Sequence, residues 1–139
     1  MIILDTNVVS EVMRPAGMQK VRHWLDAQST QSLCLTATVL SEFLVGIELI
    51  PDGRRKQGLA GVMREFVEAK IENRVLSFDE VAARAYASIV NRARTLGYSM
   101  PVADGQIAAV AAVHGFAVAT RDTQPFEAAG VEVLNPWEL

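Results

Sequence analysis

The chain has 139 residues, 50% apolar and 21% charged, which suits one domain over 1–139 with a full core of its own. With 13 basic against 16 acidic residues the formal charge is −3, which excludes a globally basic nucleic-acid binder and leaves a local basic patch open. A single cysteine, Cys34, and two separated histidines, His23 and His114, stand against an internal disulfide, a cysteine/histidine zinc site and a Ser-His-Asp triad.

Ile2-Ile3-Leu4 is apolar without alternation, the pattern of a strand buried on both faces. After Asp5-Thr6-Asn7, Asn7 is expected to cap a helix through Met13, and Arg14-Pro15-Ala16-Gly17 to break it. Val21, Trp24 and Leu25 recur at helical spacing, so a helix is predicted over 18–28. A strand at 33–35, a helix over 37–50 and a turn at Pro51-Asp52-Gly53 follow. Leu59, Val62, Met63, Phe66 and Val67 form one face of a helix over 54–70. A third strand is predicted at 75–78, and Asp79 caps a helix through Leu96 that Gly97 stops. Another helix covers 102–114 and Gly115 closes it; strands at 116–119 and 132–134 complete the chain. Strands separated by helices imply an α/β layered domain with a mainly parallel sheet. No apolar run reaches the roughly 18 residues of a membrane span. The start lacks the basic region of a signal peptide, so a soluble, cytoplasmic protein is the expectation.

Most of the acids suit solvated helix faces; Glu11 could approach a site near Asn7, but the surface is its expected place. Four others stand apart. Asp5 and Asp122 each follow a strand, at the sheet edge where open α/β folds place their ligand crevice. Each also has a plain alternative, an N-cap for Asp5 and an Asp turn for Asp122. Glu42 shares its helix face with Val39, Phe43 and Gly46, with no Lys or Arg one turn away. Asp104 lies in the first turn of an almost wholly apolar helix, where it could simply complement the helix dipole. If the first and fourth strands are neighbours, all four converge. Two unit charges about 4 Å apart repel by about 4 kcal/mol at an effective dielectric near 20. Such a cluster must protonate or recruit a cation, and hard oxygen donors select Mg²⁺ or Mn²⁺. Phosphodiester hydrolysis suits a site of that kind.

Ile3-Leu4-Asp5-Thr6-Asn7, Leu40-Ser41-Glu42-Phe43-Leu44-Val45-Gly46, Ala103-Asp104-Gly105-Gln106-Ile107-Ala108-Ala109 and Ala119-Thr120-Arg121-Asp122 together resemble the PIN-domain ribonucleases, in particular VapC-type toxins of toxin–antitoxin pairs. The ending Asn135-Pro136-Trp137-Glu138-Leu139 looks like the FitB branch. The resemblance runs the length of the chain. It implies a three-layer fold whose twisted, mainly parallel sheet has the order 3-2-1-4-5. It places Asp5, Glu42, Asp104 and Asp122 at a catalytic Mg²⁺ site, with Mn²⁺ as a substitute, and Asn7 and Thr120 as supporting groups. It further implies an RNA substrate, a homodimer, and a VapB/FitA-like antitoxin through which DNA is engaged only indirectly. Many relatives carry a further acid shortly after the fourth strand's Asp, followed by Phe. Here Thr123-Gln124-Pro125-Phe126 has none, which counts against a second tightly held metal.

Arg121, beside Asp122, is the candidate for an RNA phosphate, although it could equally pair with that acid. Arg54-Arg55-Lys56 and Arg92 with Arg94 are local basic clusters whose plain reading is solvated helix charge. Trp24 and Phe66 read as core. Two rival classes remain. A phosphatase or phosphoreceiver using Asp5 needs a lysine near the later acids, and Lys20, Lys56 and Lys70 all precede the fourth strand. A non-catalytic interaction module could share the fold, but retention of all four acids argues against it.

Overall fold

A computed structural model describes residues Met1–Leu139. Five short strands, β1 (Ile2–Leu4), β2 (Leu33–Thr36), β3 (Val75–Leu76), β4 (Ala117–Ala119) and β5 (Val133–Leu134), form one sheet in the order β3-β2-β1-β4-β5. Every pairing is parallel, with Ile3 opposite Cys34 on one side and Val118 on the other. Parallel strands need crossovers, and helices supply them: α1 (Thr6–Met13), α2 (Gln19–Ala27), α3 (Ala37–Glu48), α4 (Arg54–Glu65), α5 (Glu80–Thr95), α6 (Val102–His114) and α7 (Gln124–Ala128). Right-handed crossovers put α1–α4 on one face of the sheet and α5–α7 on the other. The packing agrees: α1 touches α2, α3 and α4, while α5 touches α6 and α7.

The core follows from the apolar runs. Ile3, Leu4, Leu33, Cys34, Leu35, Val118 and Ala119 are wholly buried, as an unalternating strand pattern requires. Each Leu or Ile contributes roughly 1.5–3 kcal/mol by leaving water. Burial pushes the Cys34 thiol up to about 11, so it behaves as a small hydrophobe. In α6, Ile107 through Ala111 are all inaccessible, and the alanines let this helix sit close to its neighbours. Gly105 permits the same approach at the helix start: a Cβ there would lie 2.7 Å from the Tyr86 ring on α5.

The element boundaries depart from the sequence pattern in definite ways. Asp5, not Asn7, caps α1, because the chain is still extended at Asp5 and its carboxylate accepts from the Thr6 amide at 2.8 Å. The helix predicted over 54–70 ends at Glu65 and passes into a π-helical turn at Phe66–Lys70, closed by the Ile71 amide on the Phe66 carbonyl. β3 stops at Leu76 because β2 offers no partner beyond Thr36. The five-residue α7 and a 3₁₀ turn at Thr30–Ser32 lack the length to show periodicity.

Glu11 is a clearer correction. It is buried, at 4% exposure, rather than at the surface. Its carboxylate accepts from the Met18 amide at 2.7 Å and from Arg14 at 2.5 Å, so it clamps the turn after α1. These bonds, the Met18 amide foremost, hold its carboxyl below the usual carboxylate range. Gly17 belongs to the same clamp, since a Cβ there would fall 2.0 Å from the Glu11 carbonyl oxygen.

Candidate active site

The chain leaves β1 and β4, which are neighbours, toward opposite faces of the sheet. That opens a crevice at their carboxyl ends. Asp5 follows β1 directly, and Thr120, Arg121 and Asp122 follow β4. The Asp5 amide bonds the Ala119 carbonyl at 3.0 Å, which locks the two strand ends together.

Asp5 is 5% exposed and fully engaged. One carboxylate oxygen accepts from the Thr6 amide; the other accepts from the Thr120 hydroxyl at 2.7 Å and from the Asn7 side-chain amide at 3.4 Å. Thr120, wholly buried, accepts in turn from Asn7 Nδ2 and from the Asp122 amide, each at 3.1 Å. Asn7 Oδ1 accepts from the Arg121 amide at 3.2 Å. Asn7 and Thr120 are thus the supporting groups of one network that sets the angle of Asp5 and the start of the Arg121-Asp122 turn.

Glu42 comes from α3. It is exposed, and it accepts from the Thr6 hydroxyl at 3.0 Å. Asp104 stands in the first turn of α6, half-buried, and accepts no hydrogen bond from the chain. The Thr38 hydroxyl donates to Gln106 at 3.0 Å and ties α3 to α6, so the helices carrying Glu42 and Asp104 are held together. Burial first, and then the fields of Asp5, Asp122 and Glu42, push the Asp104 carboxyl up to about 6. Asp5 is also raised, by burial foremost; its bonds from Thr120 and Thr6 oppose that, and Glu42 and Asp122 add to it. An acid that merely complemented a helix N-terminus would move the other way. The fields of Glu42 and Asp122 thus reach both Asp5 and Asp104 across a single crevice, although no three of the acids stand close enough to grip one ion directly between them.

Arg121 does not pair with Asp122. Its guanidinium lies over the ring of Trp137, 5.1 Å from the centroid. Phe66 is buried and Trp24 half-buried, as core residues should be. Three contributors carry no clear signal in the sequence. Thr6 orients both Asp5 and Glu42, and the Thr38–Gln106 bond is visible only in three dimensions. Tyr98, before α6, has its phenol pushed up by burial and then by the charges of Asp122 and Asp104.

The profile of the PIN domain family matches residues 2–131 of this chain. Over 138 residues the chain is 44% identical to the VapC ribonuclease Y4jK of Sinorhizobium fredii, covering 99% of each. Over 137 residues it is 42% identical to Toxin FitB of Neisseria gonorrhoeae, again 99% of each. The solved structure of FitAB bound to an IR36 DNA fragment includes a chain that superposes with a TM-score of 0.94 at 42% identity, covering all of this chain and 97% of that one.

Proposed function

The chain belongs to the PIN domain family, and on that footing we propose that residues 1–139 form one metal-dependent endoribonuclease unit, the toxin of a VapBC- or FitAB-like toxin–antitoxin pair. The geometry that supports this most directly is Asp5 at the end of β1, bonded by Thr120 and by Thr6, with Thr6 also bonded to Glu42, so that acids from distant segments meet at one crevice; the raised carboxyls of Asp5 and Asp104 agree with it. A crevice that holds acids against their own repulsion is built for a cation, and all-oxygen donors fit Mg²⁺ or Mn²⁺. Because no three of the acids stand close enough to grip one ion between them, the ion proposed here is a hydrated one, held partly through water. When bound, such an ion neutralises phosphate charge and makes water a better nucleophile at neutral pH.

The protein's own part is orientation. Thr120 and the Thr6 amide fix both oxygens of Asp5 before any ligand arrives. Thr6 holds Glu42 toward the same crevice from the opposite helix. Water attacks phosphorus in line and the P–O3′ bond breaks, leaving a 3′-hydroxyl and a 5′-phosphate. The phosphatase and phosphoreceiver class lacks its cation: Lys20 is bonded to the Trp137 carbonyl, Lys56 to Asp52 and Lys70 to Asp26.

Antitoxin binding is supported by an apolar cleft of about 220 Å³ between α1, α3 and α4, lined by Met13, Phe43, Ile47, Ile50 and Leu59 among others. An amphipathic segment of a VapB/FitA-like partner fits it. A homodimer and a cytoplasmic location complete the proposal; no helix is long and apolar enough to cross a membrane. The test is cleavage of RNA by partner-free protein with Mg²⁺, with Mn²⁺ and with EDTA. Metal-dependent cleavage that Asp5→Asn removes is the expected result. No cleavage under any of the three conditions, by folded protein, overturns it.

A further inference from the structure

Arg121 joins none of the chain's ion pairs. Glu11, an acid on the same side, is already engaged by Arg14 and the Met18 amide. The Arg121 guanidinium is thus an exposed cation with no carboxylate partner, resting on the Trp137 ring at 5.1 Å. Its backbone is fixed through Asn7, which is itself bonded to Asp5, so the residue that carries this charge stands at the rim of the acid crevice.

Trp137 is anchored through its backbone. Its amide donates to Asn135 Oδ1 at 3.0 Å, and its carbonyl accepts from Lys20 at 2.9 Å. Its indole N–H is the one buried side-chain polar atom in the chain without a hydrogen-bond partner. An unmet buried donor costs stability. Phenylalanine would fill much of this position without that cost, so packing alone does not call for tryptophan here. Tryptophan is, however, the strongest aromatic partner for a guanidinium.

We propose that Trp137 is a positioning residue that holds the Arg121 guanidinium at the crevice rim, where it takes a phosphate of single-stranded RNA next to the scissile one. This rests on the nuclease reading above. Arg121 supplies charge that the four acids cannot, and on an acidic protein that charge must be aimed. The stacked face preorganises it, so less side-chain freedom is lost on binding.

The test combines RNA cleavage with binding of a labelled single-stranded RNA, measured by anisotropy in EDTA over a range of salt. Arg121→Ala should weaken binding and lower the salt slope by about one phosphate contact, roughly 0.7 in log–log terms. Trp137→Phe should keep or raise the melting temperature, weaken RNA binding and raise KM by about threefold, and leave kcat unchanged. In an Arg121→Ala background the same Trp137→Phe change should do nothing to RNA binding, because its partner is gone. Trp137→Tyr, which keeps an aromatic face, serves if the phenylalanine variant does not fold, with the same pattern expected. Equal effects of the Trp137 substitution with and without Arg121 overturn the inference, as does an Arg121→Ala variant with wild-type affinity and salt slope. In either case a wild type that still cleaves RNA leaves the nuclease reading intact. A wild type that neither binds nor cleaves RNA removes both.

Discussion

Replacing Asp104 with asparagine deletes one negative charge from the crevice and preserves shape. In the folded chain this carboxyl is raised from 3.8 to about 6. At about 1.4 kcal/mol per tenfold change in proton affinity, that is a ceiling of about 3 kcal/mol against the ionised form. Asp104 is only half-buried, so solvent screening reduces this to about 1 kcal/mol. Asp104→Asn should therefore be more stable than wild type in EDTA at pH 7, by about 3 °C in melting temperature for a chain of this size. The pH dependence has a fixed sign. The folded state binds the Asp104 proton more tightly than the unfolded state does. Wild-type stability relative to the variant is thus full below about pH 4, falls as pH rises through the window from 3.8 to about 6, and stays low above it. Mg²⁺ should stabilise wild type more than the variant, through mass action on the folded state. Calorimetry of both proteins from pH 4 to 8, in EDTA and in Mg²⁺, measures all of this. If Asp104 only complements the α6 dipole, its neutralisation costs about 0.3–1 kcal/mol above pH 4, with no Mg²⁺ difference between the proteins. That result would refute the shared-crevice argument.

Asp5→Asn should remove most RNA cleavage while the far-ultraviolet circular dichroism stays native, since the asparagine oxygen can still accept from the Thr6 amide and its NH₂ can donate to the Thr120 hydroxyl. Gly105→Ala should destabilise by about 1–3 kcal/mol in urea denaturation, because its methyl would meet the Tyr86 ring at 2.7 Å. Gly46 borders the apolar cleft, and a Cβ there meets nothing within 4 Å. Gly46→Arg should therefore fold normally yet fail to co-elute with a co-expressed antitoxin, and wild-type co-elution would count against that cleft as the docking groove.

Local chemistry made much of this protein legible in the sequence. Unalternating runs such as Ile2-Ile3-Leu4 have one stable use, a strand buried on both faces, and the helices between them force a parallel sheet. Asp5 and Asp122 stood out for the same reason, as acids at the ends of buried strands. Glu11 was expected at the surface and lies buried. Whether a glutamate is buried depends on partners that need not be near in sequence, and here the Met18 amide, seven residues on, encloses it. The raised carboxyl of Asp104, the Thr38–Gln106 tie between helices and the seat of Arg121 on Trp137 had no local signature. Electrostatic fields and side-chain contacts act through space, and only the 3-2-1-4-5 strand order brings residues 5, 42, 104 and 122 to one crevice and Arg121 to Trp137.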